Sequence, residues 1–237
     1  MKIVNLTQYF DEMGYDWEKD KEELYHILEY TKTRPKKDPP ELYIPSAGTE
    51  QTFLIKCIAE NMKAKTFFEI GTGRGTSCYA VSLLESVEEI VTVDIVSHYT
   101  KKNEAINSRP VVVSNADLYD MIKFDQKSKI KFKHVSEMPY IIGEYEEEVD
   151  VAFIDGNHSD YDIVYQDYLN CKKIVRPGGI IIFDDYHDER FVVKKVVDDI
   201  IQKDQVKDAT LVRLVGHLFE TNNRRDNCGI VVMRVGE

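Results

Sequence analysis

Between Phe67 and Ser77 the chain reads FFEIGTGRGTS. Three glycines at alternate positions, Gly71, Gly73 and Gly75, follow a short apolar run and precede a helical pattern. Glycine permits a tight turn and lets a ligand approach the backbone. The start of a helix just beyond favours an anionic group. The spacing is GxGxG, and Thr76 stands where the dinucleotide fingerprint GxGxxG has its last glycine. The next apolar run, EIVTVDI, carries Asp94, 19 positions beyond Gly75. An acid at that distance can accept hydrogen bonds from both ribose hydroxyls and repels a ribose phosphate. Alone, the turn is also compatible with a plain strand–helix corner, with Asp94 a strand-end cap. Strand, turn, helix and acid together point to a nucleoside-bearing ligand.

A second set of residues could handle protons and cations. The run VDVAFID ends at Asp155, and GIIIFDD ends at Asp184 and Asp185; His158 and His187 follow in GNHS and DDYH. If both runs are neighbouring parallel strands, about 4.8 Å apart, the three carboxylates converge on one edge of a sheet. Close carboxylates raise one another's pKa unless a cation offsets them. Oxygen ligands favour Mg²⁺, Ca²⁺ or Mn²⁺ over zinc. The competing role is structural: the aspartate pair caps the next helix and Asp155 bonds to backbone amides. A histidine titrating near neutrality can take a proton from a hydroxyl, which makes His187 and His158 the candidate bases. His26, His98, His134 and His217 have no acid cluster beside them in sequence and receive no role. No GxSxG, HExxH or Walker sequence occurs, which counts against serine hydrolase, zincin and P-loop chemistry.

The elements that position these residues are legible from periodicity. Short runs rich in Val, Ile and Phe (KTFFEIG, EIVTVDI, KIKFKHV, VDVAFID, GIIIFDD, TLVRLVG, GIVVMRV) alternate with helical patterns such as TEQTFLIKCIAENM, SCYAVSLLES, DYDIVYQDYLNCKKIV and ERFVVKKVVDDIIQK. Nearly continuous apolar strands separated by helices predict a mostly parallel sheet covered on both faces. The last two strands have only the loop HLFETNNRRDNC between them. A parallel return needs a crossover, so a hairpin is expected there. The expected fold is an α/β, doubly wound, seven-stranded sheet with an antiparallel last strand. Residues 1–34 read as polar and helical, and TRPKKDPPELYIP as an extended connector. The expected division is an arm and connector over 1–45 and a main domain over 46–237. The stretch from Ser97 to Ser128 reads poorly, apart from a helix in ADLYDMIKF.

The glycine turn and its acid resemble the first motif of class I S-adenosylmethionine-dependent methyltransferases, and the resemblance extends over roughly residues 50–235. It implies a Rossmann-like sheet with the cofactor over the carboxyl ends of the first strands. Gly71, Gly73 and Gly75 would lie against the cofactor, with Glu69 near its methionine amino group and Ser77 near its carboxylate. Asp94 would bind the ribose hydroxyls and Ser136 would lie near the adenine; Asp155 belongs beside the cofactor as well as among the metal ligands. The pattern FIDGNHS…VRPGG…FDDYHD looks like that of metal-dependent O-methyltransferases acting on sugars and related small molecules. In that group Asp155, Asp184 and Asp185 would hold Mg²⁺, and His187 would be the base. The expected activity is methyl transfer from S-adenosylmethionine to a hydroxyl of a sugar- or diol-like acceptor. A metal-independent N- or C-methyltransferase, a nicotinamide oxidoreductase and a non-catalytic binding relative are the alternatives; the missing glycine at position 76 argues against the oxidoreductase.

Composition narrows the partners. The chain has 237 residues, of which 43% are hydrophobic and 31% charged, which suits a globular domain with a sizeable core. A net charge of −11 does not suit wrapping a nucleic-acid backbone. No apolar run approaches the roughly 18 residues of a membrane span. The N-terminus carries acids early and does not read as a signal peptide. Cys57, Cys78, Cys171 and Cys228 form no CxxC pair, so free thiols in a reducing cytoplasm are the expected state. The amphipathic helix of the arm points to self-association as a homo-oligomer of unspecified size.

Overall fold

The structure, a computed structural model, describes residues 1–31, 47–106, 109–121, 125–137, 139, 148–186, 191–214 and 229–236. Strand β1 (Lys2–Asn5) leads into helices α1 (Leu6–Met13) and α2 (Trp17–Thr31). Helix α3 (Ala47–Asn61), β2 (Thr66–Ile70), α4 (Thr76–Ser82) and β3 (Glu89–Asp94) follow. Then come the strands β4 (Lys102–Ile106) and β5 (Arg109–Val113), helix α5 (Asn115–Met121) and β6 (Ile130–His134). The chain continues through β7 (Val149–Ile154), α6 (Tyr161–Ile174), β8 (Val175–Tyr186), α7 (Val193–Lys203), β9 (Ala209–Arg213) and β10 (Gly229–Arg234).

The main sheet runs β1-β9-β10-β8-β7-β2-β3-β6. All seven expected strands are in it, β7, β2, β3, β6 and β8 pair in parallel, and β10 is antiparallel to both β8 and β9. The eighth strand is β1, which adds in parallel beside β9. The helical reading of residues 1–34 therefore needs correcting over its first residues. β1 has only Val4 buried and is too short to alternate visibly. The segment after β3 forms a separate antiparallel pair, β4 with β5, before the helix expected in ADLYDMIKF.

Side chains alternate across the strands and fill two cores. Phe67, Val151, Phe153, Ile180 and Ile182 face one side and pack with residues of α1, α2, α3 and α4. Phe68, Ile70, Ala152, Ile154, Ile181 and Phe183 face the other and pack with α6 and α7. Burial on both faces explains why these strands carry no polar alternation. From β2 the chain moves outward to β3 and β6, then returns to place β7 on the other side of β2 and β8 beyond it. That reversal opens a crevice at the carboxyl ends of β2 and β7, the place where open α/β sheets take ligands. Among the described residues, no helix is long and apolar enough to cross a membrane.

Candidate active site

A cavity of about 340 Å³ lies at this crevice. Its walls come from Gly71 to Arg74 after β2, Asp94 to Val96 after β3, Asp155 to Asn157 after β7, and Gln51 and Thr52 on α3. The first turn out of β2 passes so close to the end of β7 that no side chain fits. A Cβ on Gly71, at φ +96°, would sit 2.1 Å from the carbonyl oxygen of Asp155. Gly75 is also left-handed, and a Cβ there would meet the Tyr79 ring at 3.3 Å. Gly71 and Gly73 line the cavity, while Gly75 stands behind it as the first capping residue of α4.

Asp94 is held by backbone amides. Its Oδ2 accepts from Gly73 N–H at 3.0 Å and its Oδ1 from Val96 N–H at 2.8 Å. Both oxygens retain acceptor capacity, since a carboxylate offers about four lone-pair directions. Glu69 lies at the cavity wall but is only 2% exposed. It accepts from Thr92 Oγ1 at 2.6 Å and Cys78 Sγ at 2.7 Å, and the Thr92 hydroxyl is in turn 2.6 Å from that of Thr72. Burial pushes its carboxyl up to about 7, against the opposing effect of those donors. A cationic ligand beside it would favour the charged carboxylate and lower that value. Ser77 also lines the cavity; Ser136, just past β6, is exposed and does not.

The second group meets the first at Asp155. Asp155, His158 and Asp185 each offer a ligand atom within 4.8 Å of the others. His158 Nδ1 is 3.1 Å from Asp185 Oδ2, the His158 ring lies against Phe191, and its carbonyl accepts from Val192 N–H at 2.9 Å. Asp185 reaches this position through a bulge. Gly229 pairs with Tyr186 and Val231 with Phe183, so Asp184 and Asp185 together oppose the single residue Ile230. Asp185 takes φ +52°, an uncommon left-handed conformation that aspartate tolerates better than most. Asp184 is half-buried and is not one of the three clustered groups. His187, the other candidate base, lies outside the described residues. Two carboxylate oxygens and an imidazole nitrogen at this spacing suit a divalent cation.

Sequence reasoning did not single out Gln51 or Thr52. Gln51 Nε2 lies 3.5 Å from Asp155 Oδ2, and both residues are buried on α3 beside the apolar run they precede. Polar residues inside a buried helical stretch were the available signal. Tyr161 and Tyr186 donate to Asp199 and Asp198 of α7, which ties them to the scaffold.

Comparison with known proteins agrees with this geometry. A family model described as a methyltransferase domain matches residues 68–186, from β2 through the end of β8. An uncharacterized protein of Acanthamoeba polyphaga mimivirus is 27% identical over 142 residues, which is 57% of this chain and 60% of that protein. The chain thus spans less than two thirds of that relative's length. Among solved structures, the O-methyltransferase TomG of Streptomyces achromogenes, in complex with S-adenosylmethionine, superposes with a TM-score of 0.57 at 16% identity, covering 90% of both chains. An O-methyltransferase of Bacillus cereus, bound to S-adenosylhomocysteine, gives 0.54 at 16% identity and 96% of both chains. The N-methyltransferase NodS of Bradyrhizobium japonicum gives 0.54 at 12% identity, covering 81% of this chain and 97% of its own. At such identities the likeness is one of fold.

Proposed function

This chain belongs to the methyltransferase-domain family, as a class I S-adenosylmethionine-dependent methyltransferase, and on that footing we propose that it transfers a methyl group to a hydroxyl of a small, sugar- or diol-like molecule with a divalent cation assisting. One observation carries the reading. Asp155 belongs at once to the wall of the glycine-turn cavity and to the cluster with His158 and Asp185. A nucleoside lying over the turn would therefore reach the cluster at one end.

In this proposal Asp94 binds the ribose hydroxyls, and Gly71, Gly73 and Gly75 give the cofactor its backbone approach. Glu69 faces the methionine ammonium, Ser77 the carboxylate, and Ser136 is the adenine-side candidate. The cation site is Asp155 with Asp185, Asp184 is the further carboxylate beside it, and His158 of the same cluster is kept for the proton. A bound cation supplies positive charge that favours an alkoxide over an alcohol. The acceptor oxygen attacks the methyl carbon in line, the carbon–sulfur bond breaks, and S-adenosylhomocysteine leaves. The hydroxyl proton passes to His158 Nε2, while Asp185 accepts from Nδ1–H and fixes the ring. His187 is the rival base, and His158→Ala and His187→Ala compared side by side assign the role. The chain supplies alignment, which is where most of the barrier reduction in such a transfer is available.

The test begins with calorimetry on S-adenosylhomocysteine. Measurable affinity is expected; its absence, for both that molecule and S-adenosylmethionine, overturns the reading. Methyl transfer from labelled S-adenosylmethionine is then followed over a panel of sugars and catechols. EDTA-treated protein is expected to keep the cofactor and lose transfer, and Mg²⁺ to restore it. Undiminished transfer after EDTA removes the cation and leaves His158 and Asp185 as a metal-free pair.

A further inference from the structure

Gly73 is fixed without packing. It has φ +50°, and no atom lies within 4 Å of the place a Cβ would occupy. Its two flanking peptides are instead tied by side chains from other segments. Its N–H donates to Asp94, and its carbonyl accepts from Asn115 Nδ2. Asn115 is 6% exposed, and its Oδ1 is buried without a hydrogen-bond partner among the described residues. A buried amide that uses its donor and leaves its acceptor unmet is held there for the donor, because the unmet acceptor costs free energy.

The segment that carries Asn115 is built to aim it. Ser114 and Asp117 form a reciprocal cap at the start of α5: Ser114 N–H donates to Asp117 Oδ2 at 2.6 Å, and Asp117 N–H donates to Ser114 Oγ at 3.1 Å. The next residue, Ala116, donates its N–H to the His98 carbonyl at 2.9 Å. The His98 ring stacks on Phe132 of β6 at 3.6 Å between centroids, and Phe132 meets Tyr79 of α4 edge-on. Asn115 is thus anchored, through the His98 segment, to β6 and to α4, the helix that follows the turn it touches.

We propose that Asn115 is a positioning residue for the cofactor. By holding the carbonyl of Gly73 while Asp94 holds its N–H, it keeps the turn in one conformation before ligand arrives. Cofactor affinity thereby depends on the β4–β5 insertion, which ends at this residue. The inference rests on the reading of the cavity as a cofactor site.

The experiment compares S-adenosylhomocysteine affinity, by calorimetry, in the intact chain, Asn115→Ala, Asn115→Asp and Asn115→His. Losing one preorganising hydrogen bond should weaken binding roughly tenfold in the alanine variant. The aspartate variant keeps the size, sets an oxygen against the Gly73 carbonyl, and should bind more weakly still. Histidine retains a ring N–H and should recover part of the affinity. In each variant the loss of affinity should exceed what any loss of thermal stability in the ligand-free protein accounts for, and the amide of residue 73 should exchange faster in the aspartate variant while β3 and β6 keep their protection. Affinity within twofold of the parent in both the alanine and aspartate variants overturns the inference and leaves the cofactor reading intact. A loss of affinity that simply tracks lost thermal stability also overturns it. A parent chain without affinity fails at the cofactor reading itself, a result distinct from the other two.

Discussion

The glycine turn and the aspartate–histidine cluster share Asp155 but are held in different ways. The turn is fixed chiefly by backbone: Gly71 N–H donates to the Val93 carbonyl at 2.9 Å, Asp155 N–H to that of Ile70 at 2.8 Å, and Asp94 accepts only main-chain amides in the described bonds. The cluster depends on an irregularity, the bulge that turns Asp185 out of strand alternation. A part made of peptide groups tolerates little change of shape. A part made by a bulge can be altered locally, because the strain and the function sit on one residue.

The sharpest way to break this contrast is Gly71→Ala. The new methyl would collide with main chain of Asp155, which cannot step aside as a side chain can. A loss of more than about 3 kcal/mol of stability is expected, together with both functions, since Asp155 serves both. Chemical denaturation and S-adenosylhomocysteine calorimetry read it out; a stable variant that binds normally would show the turn is not rigid.

An acid outside both regions calibrates what burial does by itself. Asp167 on α6 is fully buried, neither carboxylate oxygen has a hydrogen-bond partner, and burial raises its carboxyl to about 7. The unfolded chain releases this proton near 4, whereas the folded chain keeps it until about 7. The native state binds more protons across that window, so stability is fullest below it, falls as pH rises through it and levels off above. The decline attributable to Asp167 is up to roughly 4 kcal/mol. Asp167→Asn should flatten that slope, as measured by urea unfolding at pH 4 through 8. An unchanged slope would assign the pH dependence elsewhere, Glu69 being the next candidate.

Asp94→Asn offers one oxygen in place of two, so it keeps one of the Gly73 and Val96 contacts and loses the charge. Binding of S-adenosylhomocysteine should weaken about 100-fold, equivalent to about 2.7 kcal/mol, with stability nearly unchanged. Asp185→Gly has a small effect on stability and the most diagnostic one on activity. It relieves a left-handed residue and should stabilise the chain by about 1 kcal/mol while methyl transfer falls and cofactor affinity stays. If transfer persists, the cluster is not the acceptor end of the site.

The readable half of the site was the half written in residue types. Glycines that need positive φ and acids that end apolar runs are visible in one dimension, so Gly71, Gly73, Asp94 and Asp155 could be placed before any coordinates. Asp184 and Asp185 could not be told apart in this way. Neighbours in a regular strand point to opposite faces, and which one joins Asp155 is set by Ile230 on β10, far along the chain. Asn115 illustrates the same limit. Its capping partners are legible as SNAD, but its contact with Gly73 spans 42 positions. The sheet's mostly parallel character followed from apolar strands and intervening helices, and its antiparallel last strand from the short final connection. β1 escaped because four residues with one buried side chain leave no period to detect.

That short strand has a consequence for how the molecule assembles. Its described partner is β9, so Lys2–Asn5 pair with residues some 200 positions further along the chain. During translation they must wait, unpaired, while the remainder of the sheet emerges, and long-range closure of this kind is slow. Adding this strand to the end of the sheet is therefore a late event, and a nascent chain halted before Ala209 would leave Val4 uncovered.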